Sequence, residues 1–313
     1  MKKIVFRICG IAVGVALLAA YIATGTYWLS EQDKDLYYDA LALQETADEI
    51  GFDDFKLEDY PVAFYDGKNE YVITSDGNIE KREPVLDVFV ATAFPVDEQW
   101  AVFVPTYKRF EPLTVMIMAE KALGADSEEI RKAIYISTIW HEAMHAWQST
   151  NYDDNINAWD IQPDFENTIV DNTPEARALY EQELTLLYQA AYETDMEQLK
   201  AIAEAICTIE EKIEDILPAN AYATAVQTEL TEGSAQYFES RIFRYLRGEE
   251  DYIDHYVEGI DVYNEGRAKY YTLGMAKCLL IDKLDPAWKN NFAFDRSFAD
   301  MIRDALKDPK QSA

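Results

Sequence analysis

The chain has little histidine and little cysteine, three of each in 313 residues, and only 12 glycines and 10 prolines. So few cysteines exclude a disulfide-stapled scaffold, and so little glycine and proline excludes collagenous or low-complexity character. Positive charge is also short: 28 basic residues stand against 58 acidic ones, a net charge of -30. A polyanion would be repelled over most of such a surface, so nucleic acid is excluded as a partner. No 20–50-residue repeat is present. What the chain has is apolar material, 49% of its residues, enough for a sizeable core.

Charge is absent from one stretch near the start. Lys2, Lys3 and Arg7 carry all the basic charge before residue 31, and no acid occurs before Glu31. Between them Ile8–Ala23 is almost wholly apolar, and the run continues through Tyr27, Trp28 and Leu29. This reads as an N-terminal signal segment over residues 1–30, with an uncleaved transmembrane anchor over 8–29 favoured over cleavage near Ala23 and Gly25. The positive-inside rule then puts residues 31–313 outside the cytoplasm, in the periplasm or at the cell surface, with the membrane as a partner. In that compartment Cys207 and Cys278 are either one disulfide or two buried thiols.

The pattern predicts an α+β protein. Residues 31–50 read as one juxtamembrane helix. PVAFY, the turn Asp66-Gly67-Lys68-Asn69 and EYVIT form a hairpin signal, followed by the β-rich runs VLDVFVATAF and QWAVFVPTY. Residues 31–110 are therefore expected to hold that helix and a small, mostly antiparallel sheet, with Gln99–Val104 as an edge open to an extended peptide. Residues 111–313 are expected to be helical. A first helix, capped by Asp126 or Ser127, runs to about Ser149. A helical hairpin over 174–217 carries an apolar seam of Leu199, Ile202, Ile206, Ile209, Ile213 and Ile216, and packing explains that seam. One long helix spans 220–247, and others cover 266–284 and 297–306.

Two of the three histidines stand in His141-Glu142-Ala143-Met144-His145. Positions i and i+4 project from one helix face, so both imidazoles can share one tetrahedral zinc with the intervening glutamate beside it as a base. A zinc on two histidines needs a third protein ligand. Gln148, where the longer histidine motif has glycine, rules that motif out, and His255 is the only histidine left, so a carboxylate from another helix is expected. The stretch Glu229-Leu230-Thr231-Glu232-Gly233-Ser234-Ala235-Gln236-Tyr237-Phe238-Glu239 offers candidates. Small residues after the acid would let its helix backbone approach the motif helix closely. A di-iron bundle would need a second Glu-x-x-His, and the residue three before His255 is Tyr252.

HEAMH followed by EGSAQYFE resembles the gluzincin metallopeptidases, over these two short segments and not the whole chain. The resemblance implies a zincin-like helical region holding one Zn2+ per chain, with His141, His145 and Glu232 as ligands and Glu142 as the catalytic base. Glu229 competes as third ligand, one turn earlier. A Tyr-x-x-Gly pattern in relatives of this kind implies Tyr271 as a donor to the developing oxyanion, with Tyr270 and His255 as alternatives. Gln236 or Glu239 could hold a ligand histidine by its second nitrogen. Two departures from the pattern leave substrate rules open: the glutamate lies 87 positions after His145, and the GxMEN signature is absent. The resemblance implies hydrolysis of peptide bonds in a peptide or protein substrate. The alternative is a non-catalytic zinc-binding or scaffold module of the cell envelope.

Overall fold

The structure is a computed structural model that describes residues 28–52, 54–74, 77–86, 90–110, 127–159 and 167–307. All but the last two residues of the expected anchor lie outside them. Among the described residues no helix is long and apolar enough to cross a membrane. The architecture is α+β, with one five-stranded sheet and a mostly helical C-terminal part.

The expected juxtamembrane helix is two helices, α1 (Glu31–Leu41) and α2 (Gln44–Ile50). Ser30 caps the first: its hydroxyl accepts from Asp33 N at 3.1 Å. Leu36, Ala40, Ala47 and Ile50 are buried, so this segment is core rather than a stalk.

The strands are β1 (Val62–Tyr65), β2 (Glu70–Ile73), β3 (Ile79–Arg82), β4 (Thr92–Val96) and β5 (Gln99–Pro105), in the spatial order β3-β2-β1-β5-β4. The β1–β2 hairpin forms as its turn chemistry predicts. The Asp66 carboxylate accepts from the amides of Lys68 and Asn69 at 2.8 and 2.7 Å, and Gly67 takes φ +94°.

The sheet is mostly antiparallel, as expected: three of its four strand pairs run so, and the exception is β1 with β5, which pair in parallel, Val62 opposite Val102. The expected edge is corrected, because β5 is an interior strand between β1 and β4, so Gln99–Val104 offers no free edge. Burial explains both: β1 is buried throughout and β5 from Ala101 onward, as suits strands covered on both faces. Pro95 lies in β4, an edge strand, where a missing amide hydrogen is tolerated.

The motif helix α3 (Glu128–Asn157) starts at Ser127, whose hydroxyl accepts from Ile130 N at 3.2 Å. It runs past the expected end at Ser149, with a kink at Tyr152 (φ −133°, ψ 18°). The remaining helices are α4 (Asn167–Asp171), α5 (Pro174–Tyr192), α6 (Met196–Ile216), α7 (Ala219–Thr228), α8 (Ser234–Arg247), α9 (Glu249–Tyr252), α10 (Ala268–Leu284) and α11 (Phe298–Lys307). A π-turn, Glu229–Gly233, joins α7 to α8, so the expected single helix carries a bulge at its centre. A second π-turn, Ile253–Val257, follows α9.

The described residues form two compact units, one from those up to 42 with those of 56–146, and another from those of 43–55 with those from 147 onward. In the first, the sheet packs Ala63, Tyr65, Val72, Ala101 and Phe103 into a cluster, and Trp140 of α3 donates to Ala40 O at 3.2 Å. In the second, Phe52 is ringed by Trp147, Tyr237, Phe238, Trp288 and Phe292 at centroid distances of 5.7–6.4 Å, which explains why residues 43–55 belong to the helices. The hairpin of α5 and α6 forms over its expected span. Asp195 caps α6, and Leu199, Ile206, Ile209 and Ile213 of the seam are buried while Ile216 is exposed. Cys207 and Cys278 are buried free thiols.

Candidate metal centre

The motif helix places His141 and His145 one turn apart, rings edge to face at 78° with their Nε2 atoms 3.1 Å apart. His141 and Glu142 are buried and His145 is half-buried. Ala143, Met144 and Ala146 are wholly buried, which fixes the helix rotation and leaves the two imidazoles on one common face.

The π-turn supplies the acid. Residues three apart on an α-helix stand about 60° apart around its axis, and a π-turn widens that to about twice as much. Glu229 and Glu232 therefore take different surroundings. Glu229 turns into a wholly buried cluster, where it accepts from Lys277 Nζ at 2.6 Å. That ammonium also contacts Glu210 and lies 3.0 Å from Glu183 Oε1, in the latter case without hydrogen-bond alignment. Burial pushes the Glu229 carboxyl up to about 7, with Lys277 offsetting only part of it. Burial also works against the Lys277 ammonium, but its three carboxylate neighbours outweigh that and hold it charged well above its ordinary range.

Glu232 instead groups with the histidines: ligand atoms of His141, His145 and Glu232 all lie within 4.8 Å of one another. Its Oε1 also accepts from Arg267 at 2.5 Å. On the motif helix, one turn beyond His145, buried Gln148 donates to Thr231 O at 2.9 Å and to Ser234 Oγ at 3.0 Å, fastening the helix to both sides of Glu232. Gln148 is a site residue that the sequence reading used only to reject a longer histidine motif.

The residues fit a zinc ion in their donor chemistry. Two nitrogens at about 2.0–2.1 Å from a tetrahedral ion stand about 3.3 Å apart, close to the 3.1 Å seen here. Two imidazoles and one carboxylate are also a donor set that leaves a coordination position open.

The small residues after the acid have a different neighbour from the one expected. Gly233 meets Gly274 of α10, not the motif helix: a Cβ on Gly233 would sit 2.3 Å from Gly274 Cα, and one on Gly274 would sit 2.4 Å from Glu229 O. Tyr271, half-buried, lies three residues before Gly274 and four after Arg267, the N-cap of α10, so the three lie along one side of that helix. Tyr270 is buried elsewhere, its ring 6.3 Å from that of Tyr180 and 4.6 Å from Lys269 Nζ. His255 lies in the second π-turn, stacked on Phe243 at 5.1 Å. Glu239 accepts from the Tyr256 hydroxyl at 2.8 Å, and the buried Gln236 Oε1 has no hydrogen-bond partner among the described residues.

Compared with known protein families, curated proteins and solved structures, the chain matches none.

Proposed function

We propose that the protein is a zinc-dependent metallopeptidase of the gluzincin kind, acting outside the cytoplasm and held to the membrane by residues 8–29. The convergence of His141, His145 and Glu232 within 4.8 Å carries this reading. When bound, the ion would supply an acidified water and polarise the attacked carbonyl.

The chain's own residues do the rest. His141, His145 and Glu232 hold the ion. Glu142, next in sequence to the first ligand, accepts the water's proton and passes it to the leaving amine. Gln148 keeps the turn around Glu232 in register with the motif helix through its two bonds. Tyr271 is the residue we assign as donor to the developing oxyanion, from its place on the face of α10 that carries Arg267.

The test is cleavage of a mixed peptide library by the zinc-loaded chain. Zinc-dependent cleavage is expected, lost on Glu142→Gln while zinc stays near one per chain. The burial of Glu142, 9% exposed, favours a second reading, a non-catalytic zinc or scaffold module of the cell envelope. Stoichiometric zinc with no cleavage of any peptide by the wild type would select it.

A further inference from the structure

A cavity of about 480 Å³ opens within the helical unit, lined by neither the histidines nor Glu142, Glu232 or Tyr271. Its size falls in the range of small-molecule pockets. Its apolar wall is Ile50, Ile253, Val257 and Leu279 with the rings of Tyr192, Tyr237 and Tyr252, and charged side chains make up much of the rest. Charge is what sets it apart. In a chain of net charge -30, this one cavity gathers four cations, Arg241, Arg244, Lys283 and Lys289, against three acids, Glu49, Glu249 and Asp282.

Three of the four cations are already engaged. Arg244 pairs with Glu249 at 2.5 Å and Lys289 with Asp282 at 2.5 Å. Lys283 donates to the carbonyls of Ala190, Ala191 and Glu193 at 2.7–3.0 Å, satisfying the end of α5. Arg241 differs. It is half-buried, its hydrogen bond goes to the Tyr252 hydroxyl, and among the described residues no carboxylate lies within ion-pair distance of it. A guanidinium drawn partly out of water without a counter-ion, in a protein with acid to spare, keeps donors available to an anion in the cavity it lines.

We infer that this cavity is a binding site for a small organic anion, whose carboxylate or phosphate group is taken by Arg241 and whose apolar body lies among Tyr192, Tyr237 and Tyr252. The hydroxyl of Tyr252 orients the guanidinium, and a charge-assisted bond to a carboxylate or phosphate is stronger than a neutral one. A fully inorganic ion would leave most of the cavity unfilled, so the ligand class is an anion with a ring or branched chain. The site does not depend on the metallopeptidase reading, because it uses no residue of the metal centre.

The experiment is calorimetric titration of the full chain with N-acetyltyrosine, its neutral amide and inorganic phosphate. Saturable binding of N-acetyltyrosine is expected, at least tenfold weaker for the amide. Arg241→Gln should lose at least tenfold, and Arg241→Lys should recover part of that. Circular dichroism and an unchanged melting temperature establish that the Gln variant is folded. Glu142→Gln should bind as the wild type does, which separates this site from the metal centre. Arg241-dependent phosphate binding would place the site's natural ligand among phosphate esters and support the same chemistry. The inference is overturned if neither anion binds, if the amide binds as tightly as the acid, or if folded Arg241→Gln binds unchanged.

Discussion

At the scale of single residues, two glutamates three positions apart have opposite tasks. Glu232 groups with His141 and His145, whereas Glu229 neutralises a buried lysine. Glu232→Ala should therefore abolish stoichiometric zinc binding, and Glu229→Ala should leave most of it at lower stability, as read by metal analysis beside a denaturant titration. Lys277→Met leaves Glu183, Glu210 and Glu229 buried without their shared cation. Breaking a buried pair in this way costs about 3–5 kcal/mol. The same cluster makes stability depend on pH. Burial lifts the Glu229 carboxyl from its ordinary 4.5 to about 7, so the folded state holds this proton more tightly than the unfolded one. A raised carboxyl contributes stability that is fully present below about pH 4.5 and is lost as pH rises through about 7. Burial raises Glu183 in the same direction. Denaturation midpoints across pH 4.5–8 should fall with rising pH in this window, and less steeply in Glu229→Gln. An equal slope in the two proteins would remove Glu229 as the source.

At the scale of elements, the decisive feature is the π-turn, held by the contact of Gly233 with Gly274. A methyl at Gly274 would meet the Glu229 carbonyl oxygen at 2.4 Å and Gly233 Cα at 2.6 Å, both backbone atoms that cannot rotate away. Gly274→Ala should cost about 1–3 kcal/mol or more and weaken zinc binding through displacement of the turn. Unchanged zinc affinity in a destabilised variant would restrict the contact to packing. Much here was legible in sequence: the HEAMH helix, the β1–β2 hairpin, and the helical pair α5 and α6 opened by Pro174 and stopped by Pro218. These are local patterns, where side-chain period and turn chemistry suffice. The bulge was not legible, because a π-turn in a helical sequence is set by what packs against it; a glycine in mid-helix was its only trace. Nor was strand order, since the parallel pairing of β1 with β5 joins segments about 40 residues apart and leaves no local mark. The role of Gln148 was hidden for the same reason: its partners, Thr231 and Ser234, are more than 80 positions away.

At the scale of the whole molecule, charge and thiol chemistry set the behaviour in solution. Acids outnumber bases two to one, yet many ion pairs are short-range helix contacts such as Lys132–Glu128 and Arg177–Glu181, with both partners exposed. Such pairs contribute little, whereas the unpaired acids repel one another over distances that salt shortens to about 10 Å at 0.1 M. The balance favours repulsion. Raising sodium chloride from about 20 mM to 300 mM should lift the melting temperature by about 2–5 °C, the reverse of a fold held by surface ion pairs. Redox conditions should have no comparable effect. Cys207 and Cys278 are both buried as free thiols, and burial pushes Cys207 up to about 11, so neither presents a thiolate near neutral pH. A melting temperature that falls with salt would mean that ion pairing, and not self-repulsion, dominates the surface. A shift on adding reductant would instead place a disulfide where the described fold keeps two separate thiols, Cys207 against Ala299 O on α11 and Cys278 within α10.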